Sequence, residues 1–182
     1  MARIIRLPRR RRSIVLEGAV ACGAAVACIL ILAPMAQTPA VAAGDPMAEA
    51  TNVIAGSAGV VDGDGLRIGG ERIRLHGVDA FERGQTCGDQ PCGRLSAENL
   101  DRLTRSAEVR CTPLDVDRYG RTVARCTARG VDVGAAQVEA GLALAYRRYS
   151  LDYVPQETAA RRARRGAWAT DFTPPEDWRR AN

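Results

Sequence analysis

Short apolar runs separated by turn signals dominate the chain from residue 53 onwards. The runs at 53–61, 65–68 and 72–78 alternate or are continuous in the manner of strands, and Asp-Gly and Gly-Gly pairs lie between them. This pattern predicts three strands that follow one another in a meander.

The rest of the pattern predicts further strands and helices. Leucines at helical spacing follow a capping serine at 96–105, and the helical segments 133–140 and 155–165 each end at a glycine suited to a left-handed cap. The runs 108–113 and 122–128 have strand character. Five strands with a helix between the third and the fourth is the order of an OB-type barrel, whereas an SH3-like barrel would lack that helix. We therefore predict a mainly β (α+β) protein with a five-stranded OB-fold barrel and about three helices.

The beginning of the chain has the pattern of an export segment. Arginines without an acidic residue occupy 1–12, an almost unbroken apolar stretch follows at 14–34, and small residues stand at 40–43. A cleaved signal peptide and a retained membrane anchor both fit, because the apolar stretch is about as long as the shortest spanning helix. The arginines stay cytoplasmic in either case, so we expect an extracytoplasmic domain that is secreted or periplasmic. It would contact the membrane only through an uncleaved segment.

These patterns divide the chain into four parts. We predict a signal peptide or anchor at 1–43, a spacer at 44–52, one folded domain at 53–170 and a C-terminal tail at 171–182. The tail is too rich in proline for a helix, so we expect its aromatic side chains to pack back on the domain. We expect a monomer.

The net charge of +5 belongs to the export segment rather than to the domain. Six arginines and Glu17 lie in 1–43, which leaves twenty arginines against twenty acidic residues in the rest of the chain. Bulk charge therefore gives no argument for nucleic-acid binding, and any attraction for phosphate has to come from local arrangement.

Four of the six cysteines lie beyond the export segment, and an even number in an exported domain indicates disulfides. Cys87 and Cys92 flank a short loop, and Cys111 and Cys126 lie on the two arms of a predicted hairpin. We predict these two pairs. A zinc site is the alternative, but the single histidine, His76, is far in sequence from either pair, and four-thiolate sites usually show two close pairs.

Acidic residues recur where the first predicted strands end. Asp62 and Asp64 lie in a turn, Asp79 ends the third strand with Glu82 just beyond, and Arg74 precedes Asp79 by five positions. The Asp-Gly-Asp string alone is typical of an ordinary turn. A meander would bring these carboxylates together, and at about 5 Å they would repel by roughly 3 kcal/mol per pair at an effective dielectric of 20. Because the candidate ligands are oxygens, a hard cation such as Ca²⁺ fits better than zinc or copper.

Three strings in a fixed order carry a family resemblance. VDGDG, IRLHGVDAFE and DRYGR occupy 61–65, 73–82 and 117–121, with GLALAYRRYS following at 141–150. Any one of them is a weak signal, but the ordered set resembles staphylococcal nuclease and its relatives, the thermonuclease family, over about residues 53–168. The resemblance implies that the domain is an SNase-like OB-fold domain.

The same resemblance implies a calcium-dependent catalytic site. Calcium would be held by Asp64, Asp79 and the backbone carbonyl of Ala80, with Asp62 in the outer shell. Glu82 would position or deprotonate the attacking water. The implied activity is that of an endonuclease that cleaves DNA or RNA with little base specificity and leaves 3′-phosphate ends.

Positive and aromatic side chains complete the implied site. Arg74 and Arg121 would grip the phosphate and neutralise the charge that develops on it in the transition state. Arg118, Tyr119 and Tyr146 would lie beside the nucleotide, although the tyrosines could also fill the mouth of the barrel.

The sequence departs from the family pattern at a few positions and leaves one functional alternative. Threonine is usual in place of Gly65 and proline in place of Phe81, and the phosphate-binding lysines of the founding member have no lysine counterpart, although Arg118 can substitute. We assign no role to His76. The alternative is a catalytically inactive binding or assembly module at the cell envelope, for example one linked to exopolysaccharide production. The presence of every acid and arginine of the implied site favours the enzyme.

Overall fold

The computed structural model describes residues 53–182. The predicted export segment at 1–43 and the spacer at 44–52 lie outside the described residues. The strands are β1 (Ile54–Gly56), β2 (Ala58–Val60), β3 (Gly65–Ile68), β4 (Glu71–Leu75), β5 (Val78–Ala80), β6 (Val109–Val116), β7 (Thr122–Ala128), β8 (Val131–Asp132) and β9 (Ala143–Ala145). The helices are α1 (Cys92–Thr104), α2 (Val133–Glu139), α3 (Val154–Ala163), a 3₁₀ turn (Gly166–Ala169) and α4 (Pro175–Ala181).

Five strand segments form a closed barrel. Neighbouring strands follow the order β1-β6-β7-β4-β3-β2. Only Ser57 separates β1 from β2, so one continuous segment pairs with β6 through its first half and with β3 through its second half. This segment joins the two ends of the sheet. The predicted five-stranded OB-fold barrel is confirmed, with α1 between its third and fourth strands.

Alternate residues of the strands fill the interior of the barrel. Side chains on one face of each strand are buried because successive residues point to opposite faces of a sheet. The largest of these buried side chains are Leu66, Ile68, Ile73, Leu75 and Val109. Removing each from water stabilises the fold by about 1.5–3 kcal/mol.

A second, aromatic core lies outside the barrel. Phe172 packs edge-on against Phe81 and Trp168, with ring centroids 5.4 Å and 4.9 Å apart. The disulfide between Cys87 and Cys92 belongs to the same buried cluster. The prediction that the tail packs its aromatic residues on the domain is confirmed for Phe172.

The prediction that the tail contains no helix is wrong, because α4 begins at Pro175. Proline is tolerated in the first helical turn, where its missing N–H has no partner to lose and its φ angle is already helical. Acidic residues follow in the first turn and arginines in the last, and both complement the helix dipole. The prolines therefore start this helix instead of preventing it.

Both predicted disulfides are present, Cys87–Cys92 and Cys111–Cys126. Cys111 and Cys126 are directly paired residues of β6 and β7, as a cross-strand bridge requires. The zinc alternative fails because the four sulfur atoms are joined in two disulfide bonds and none is free to bind a metal as a thiolate.

Several predicted boundaries need correction. The strand expected at 72–78 is interrupted at His76 and Gly77, where Gly77 has a φ of 67°, and β5 instead pairs with β9, which we did not predict. Helix α1 begins at Cys92, four residues before the expected serine. Helix α3 ends with Arg164 in the left-handed conformation, ahead of the expected Gly166. In the described part of the chain, no helix has the length and apolarity needed to cross a bilayer.

A buried hydrogen-bond network fixes the loop between β2 and β3. Gln137 of α2 is fully buried, and its Nε2 donates to the carbonyl of Gly63 at 2.6 Å and to that of Ser96 in α1 at 3.0 Å. Asn99 in turn donates to Oε1 of Gln137. Two helices thus hold the loop that carries Asp64.

Substitution of Gly63 by alanine tests how tightly this loop is packed. A Cβ at Gly63 would stand 2.0 Å from Oγ of Ser96 and 2.7 Å from Cβ of Ala80. We expect Gly63→Ala to lower the free energy of unfolding by about 1–3 kcal/mol because the loop must move. At the exposed Gly59 the nearest atom would lie 4.0 Å away, so Gly59→Ala should change stability by about 0.5 kcal/mol or less. Equal urea midpoints for the two variants would contradict this account.

Candidate active site

Two buried carboxylates meet at one end of the barrel. Asp64 precedes β3, Asp79 lies in the middle of β5, and they are only 3% and 4% exposed. The backbone N–H of Ala80 donates to Oδ2 of Asp64 at 2.9 Å, which ties the loop to β5. Oδ1 of Asp62 accepts from the backbone N–H of Asp64 at 3.2 Å. Hydrogen bonds thus connect Asp62 to Asp64, and Asp64 to the backbone of Ala80, the residue next to Asp79.

Arg74 links the two buried carboxylates. Its Nη1 donates to Oδ1 of Asp64, and its Nη2 lies 3.7 Å from Oδ1 of Asp79. The Nη2 also donates to the carbonyl of Val78 at 3.0 Å, which orients the guanidinium. The structure therefore brings Asp64, Asp79 and Arg74 together.

Arg179, in the last turn of α4, enters the same group of charges. Its Nη2 donates to Oδ1 of Asp79 and its Nη1 donates to Oε1 of Glu82, both at 2.8 Å. We missed this residue because we expected no helix in the tail. The signal that could have revealed it is the pair of prolines followed by acidic residues and then by arginines, which is typical of a short capped helix.

The hairpin between β6 and β7 contributes Arg118, Tyr119 and Arg121. Nε of Arg121 donates to Asp117 at 2.7 Å, and the guanidinium of Arg118 lies 4.8 Å from the ring centroid of Tyr119. Tyr119 is 59% exposed. Tyr146 follows β9 and packs edge-on against Tyr149, with ring centroids 4.7 Å apart.

One cleft of about 990 Å³ collects almost all of the predicted site residues. Asp79 does not line the cleft itself, but its carboxylate contacts Arg74 and Arg179, which do. The predicted residues that line the cleft are Asp62, Asp64, Arg74, Ala80, Glu82, Arg118, Tyr119, Arg121 and Tyr146.

The departures from the family pattern have structural consequences. A Cβ at Gly65 would come within 2.6 Å of Oδ1 of Asp62, so the glycine permits Asp62 to fold back over the loop. Phe81 is 1% exposed and anchors Phe172 of the tail. The side chain that replaces the usual proline therefore supports the tail that carries Arg179.

Burial dominates the electrostatics of both carboxylates. It raises the pKa of Asp64 to about 7, although the neighbouring Arg74 acts in the opposite direction. Burial also raises the pKa of Asp79 above its ordinary value, with Arg179 opposing the shift. Each carboxylate is therefore short of compensating positive charge.

The carboxylate oxygens of the site are suitable ligands for a hard cation, but they are not grouped closely enough to surround one. In residues 53–182, no three acidic, histidine or cysteine side chains approach one another as closely as a metal site requires. Asp64 and Asp79 nevertheless supply oxygen donors whose buried charge is incompletely balanced, and oxygen donors are what Ca²⁺ prefers. Two guanidinium groups now provide the positive charge.

Comparison with known proteins identifies relatives of the chain. The family described as "Staphylococcal nuclease homologue" matches residues 72–170. The succinoglycan biosynthesis protein ExoI of Rhizobium meliloti is 43% identical over 104 residues, which cover 53% of this chain and 54% of that protein. The micrococcal nuclease of Shigella flexneri is 36% identical over 125 residues, 61% of this chain and 69% of that protein. An uncharacterized endonuclease of Haemophilus influenzae is 33% identical over 113 residues, 60% of each chain. The match thus spans about half the length of the Rhizobium relative.

The raised pKa of Asp64 predicts a specific pH dependence of stability. In the metal-free protein the folded state holds a proton on Asp64 between its ordinary pKa of 3.8 and the raised value of about 7. The stability that this bound proton contributes is fully present below pH 3.8, and it is lost as the pH rises through about 7. Asp64→Asn removes this titration. Urea midpoints measured with chelator should therefore fall more steeply from pH 4 to 7 in the wild type than in Asp64→Asn. Parallel profiles would contradict the prediction.

Proposed function

The chain belongs to the family of staphylococcal nuclease homologues, and from this premise we propose that it is a calcium-dependent endonuclease. Its substrate would be the phosphodiester backbone of DNA or RNA, cleaved with little base specificity. The observation that carries the proposal is that Asp64, Glu82, Arg74 and Arg121 all line one cleft. A phosphodiester hydrolysis needs a base and fixed positive charge around phosphorus, and these residues supply both.

Glu82 is the best candidate for the general base. Its side chain is 35% exposed at the cleft, where water can reach it. The Glu82 carboxylate would accept a proton from a water molecule while the water oxygen bonds to phosphorus. The bond between phosphorus and the 5′-oxygen would then break, the 5′-oxygen would take a proton from solvent to become a hydroxyl, and the phosphate would stay on the 3′ end.

Arg74 and Arg121 would stabilise the charge that develops on the phosphate. The contact of Arg121 with Asp117 uses Nε of the guanidinium and holds the side chain at the edge of the cleft. Arg74 is held by Val78 and Asp64, so both cations are positioned before substrate binds. Preorganised charge of this kind requires no rearrangement during the reaction. Bound Ca²⁺, with Asp64 and Asp79 as ligands, would add positive charge beside the phosphate.

The apolar part of the cleft suits nucleotides without selecting among bases. Tyr119 is exposed beside Arg118, and Leu114 and Val116 are exposed on the same wall of the cleft. Aromatic and apolar surfaces of this kind accept any base by stacking and provide no pattern of donors and acceptors. This supports activity on single-stranded or locally opened nucleic acid.

We also propose that the domain works outside the cytoplasm. The two disulfides support this location, because such bonds persist in oxidising compartments. The pattern at 1–43 agrees with it.

Two substitutions test the enzymatic assignment. We expect Glu82→Gln to reduce the rate about 10²–10⁴-fold through loss of the base. Arg121→Ala should reduce it about 10²–10³-fold through loss of transition-state charge stabilisation. The assay is release of acid-soluble nucleotides from single-stranded DNA, with calcium and with chelator.

Exposed residues outside the cleft supply matched controls for this test. Glu98→Gln removes an ion pair with Arg94 on α1, and Arg110→Ala removes the ion pair that Arg110 of β6 makes with Glu108. Both controls should retain the wild-type rate. Full activity in Glu82→Gln and in Arg121→Ala would remove the assignment of the site.

A second candidate function is a binding or assembly role in exopolysaccharide production. The similarity to a succinoglycan biosynthesis protein favours it. A strain that lacks this protein separates the two roles when it is complemented with the wild type or with Glu82→Gln. Restored exopolysaccharide output with Glu82→Gln would indicate a role that does not need hydrolysis, whereas failure of that variant alone would indicate an enzyme.

A further inference from the structure

The tail places a positive charge between two acidic residues of the proposed site. The guanidinium of Arg179 donates one hydrogen bond to Asp79 and one to Glu82, each at 2.8 Å. Charge-assisted hydrogen bonds from one guanidinium to two carboxylates are among the stronger polar contacts in proteins. Asp79 is a proposed calcium ligand and Glu82 is the proposed base, so Arg179 contacts the two groups on which catalysis would depend.

The beginning of the tail is firmly attached to the domain. Phe172 is buried between Phe81 and Trp168. The side chain of Gln85, which is 1% exposed, donates to the carbonyl of Thr173 at 2.6 Å and accepts from the backbone N–H of Glu82 at 3.0 Å. The segment that leads into α4 is therefore fixed next to the cleft.

The end of the tail is much less constrained. Pro175, the first residue of α4, is buried, whereas residues 179–182 are all exposed. The side chain of Arg179 is 34% exposed, and α4 is only seven residues long. Helices of this length have little stability of their own, so the last turn can open while Phe172 stays packed.

We propose that α4 is a tethered competitor for the cation: Arg179 and calcium bind to Asp79 in a mutually exclusive way, and the docked Arg179 also occupies Glu82, the proposed base. This inference rests on the proposed function. When α4 is docked, the guanidinium supplies the positive charge that the buried acids require and the site is closed. When α4 withdraws, the carboxylates are available to a divalent cation. The measured calcium affinity is then the intrinsic affinity reduced by the fraction of molecules in which α4 is withdrawn.

Arg180 provides a matched control on the same helix. It is the neighbour of Arg179, it is exposed, and its contacts are with Asp177 and Glu176 of α4 itself. Replacing Arg180 by alanine removes one positive charge from the last turn of α4, as the same change at Arg179 does. The contacts with Asp79 and Glu82 stay in place.

Calcium titration calorimetry of the metal-free protein tests the proposal. If α4 is docked in about 90% of molecules, Arg179→Ala binds calcium about tenfold more tightly than the wild type, a change of about 1.4 kcal/mol. Arg180→Ala should keep the wild-type affinity. Unchanged or weaker binding in Arg179→Ala overturns the proposal, and so does an equal gain in Arg180→Ala.

Thermal unfolding gives a second readout that does not depend on activity. Without calcium, Arg179→Ala should unfold at a lower temperature than the wild type because the ion pairs with Asp79 and Glu82 are lost. Saturating calcium should abolish this difference, since α4 is then withdrawn in both proteins and binding to the folded state has stabilised the variant more. A constant difference at all calcium concentrations contradicts competition.

These measurements separate the inference from the proposed function. Tighter calcium binding in Arg179→Ala without DNA hydrolysis by any form supports the competitor and rejects the nuclease. Calcium-dependent hydrolysis with equal affinities supports the nuclease and rejects the competitor. A raised KM for DNA with unchanged calcium affinity would make Arg179 a substrate-binding residue and overturn the proposal, and absence of calcium binding in every form rejects both.

Discussion

The burial of two like charges at the end of the barrel is the constraint on which the site depends. Asp64 and Asp79 are almost completely removed from water, and an ionised carboxylate tolerates such an environment only with hydrogen bonds and opposite charge close by. The N–H of Ala80 and the guanidinium groups of Arg74 and Arg179 meet part of this need, and burial still raises the pKa of both carboxyls. The positions of Arg74 and Arg179 beside the cleft follow from that requirement.

Strand pairing and hydrogen bonds away from the charged groups keep Asp64 and Asp79 in place. Closure of the barrel by the continuous segment of β1 and β2 fixes the start of β3, and pairing with β9 fixes β5. Gln137 connects α1 and α2 to the carbonyl of Gly63 between the two loop aspartates. The repulsion at the site is therefore resisted by packing and by buried hydrogen bonds in two helices.

Local signals in the sequence were sufficient for the barrel, whereas most of the predicted residues that line the cleft came from the family resemblance. Strand periodicity and glycine turns predicted β3 and β7 within their observed bounds, and the hairpin geometry predicted the bond between Cys111 and Cys126. Features that depend on distant partners were missed. The three residues of β9 are defined only by their pairing with β5, and the contacts of Arg179 join positions about a hundred residues apart. No local pattern encodes such a contact, although the prolines, acidic residues and arginines of 174–180 could have predicted helix α4 itself.

Gln85 gives the tail and the segment that carries Glu82 a common support. One buried amide holds the carbonyl of Thr173 with its nitrogen and the N–H of Glu82 with its oxygen. Backbone motion at Thr173 is consequently transmitted to Glu82 through a single side chain. Sequence changes at Thr173 can thus alter the orientation of Glu82, the proposed base, from outside the cleft, so the tail acts as part of the site and not as a dispensable extension.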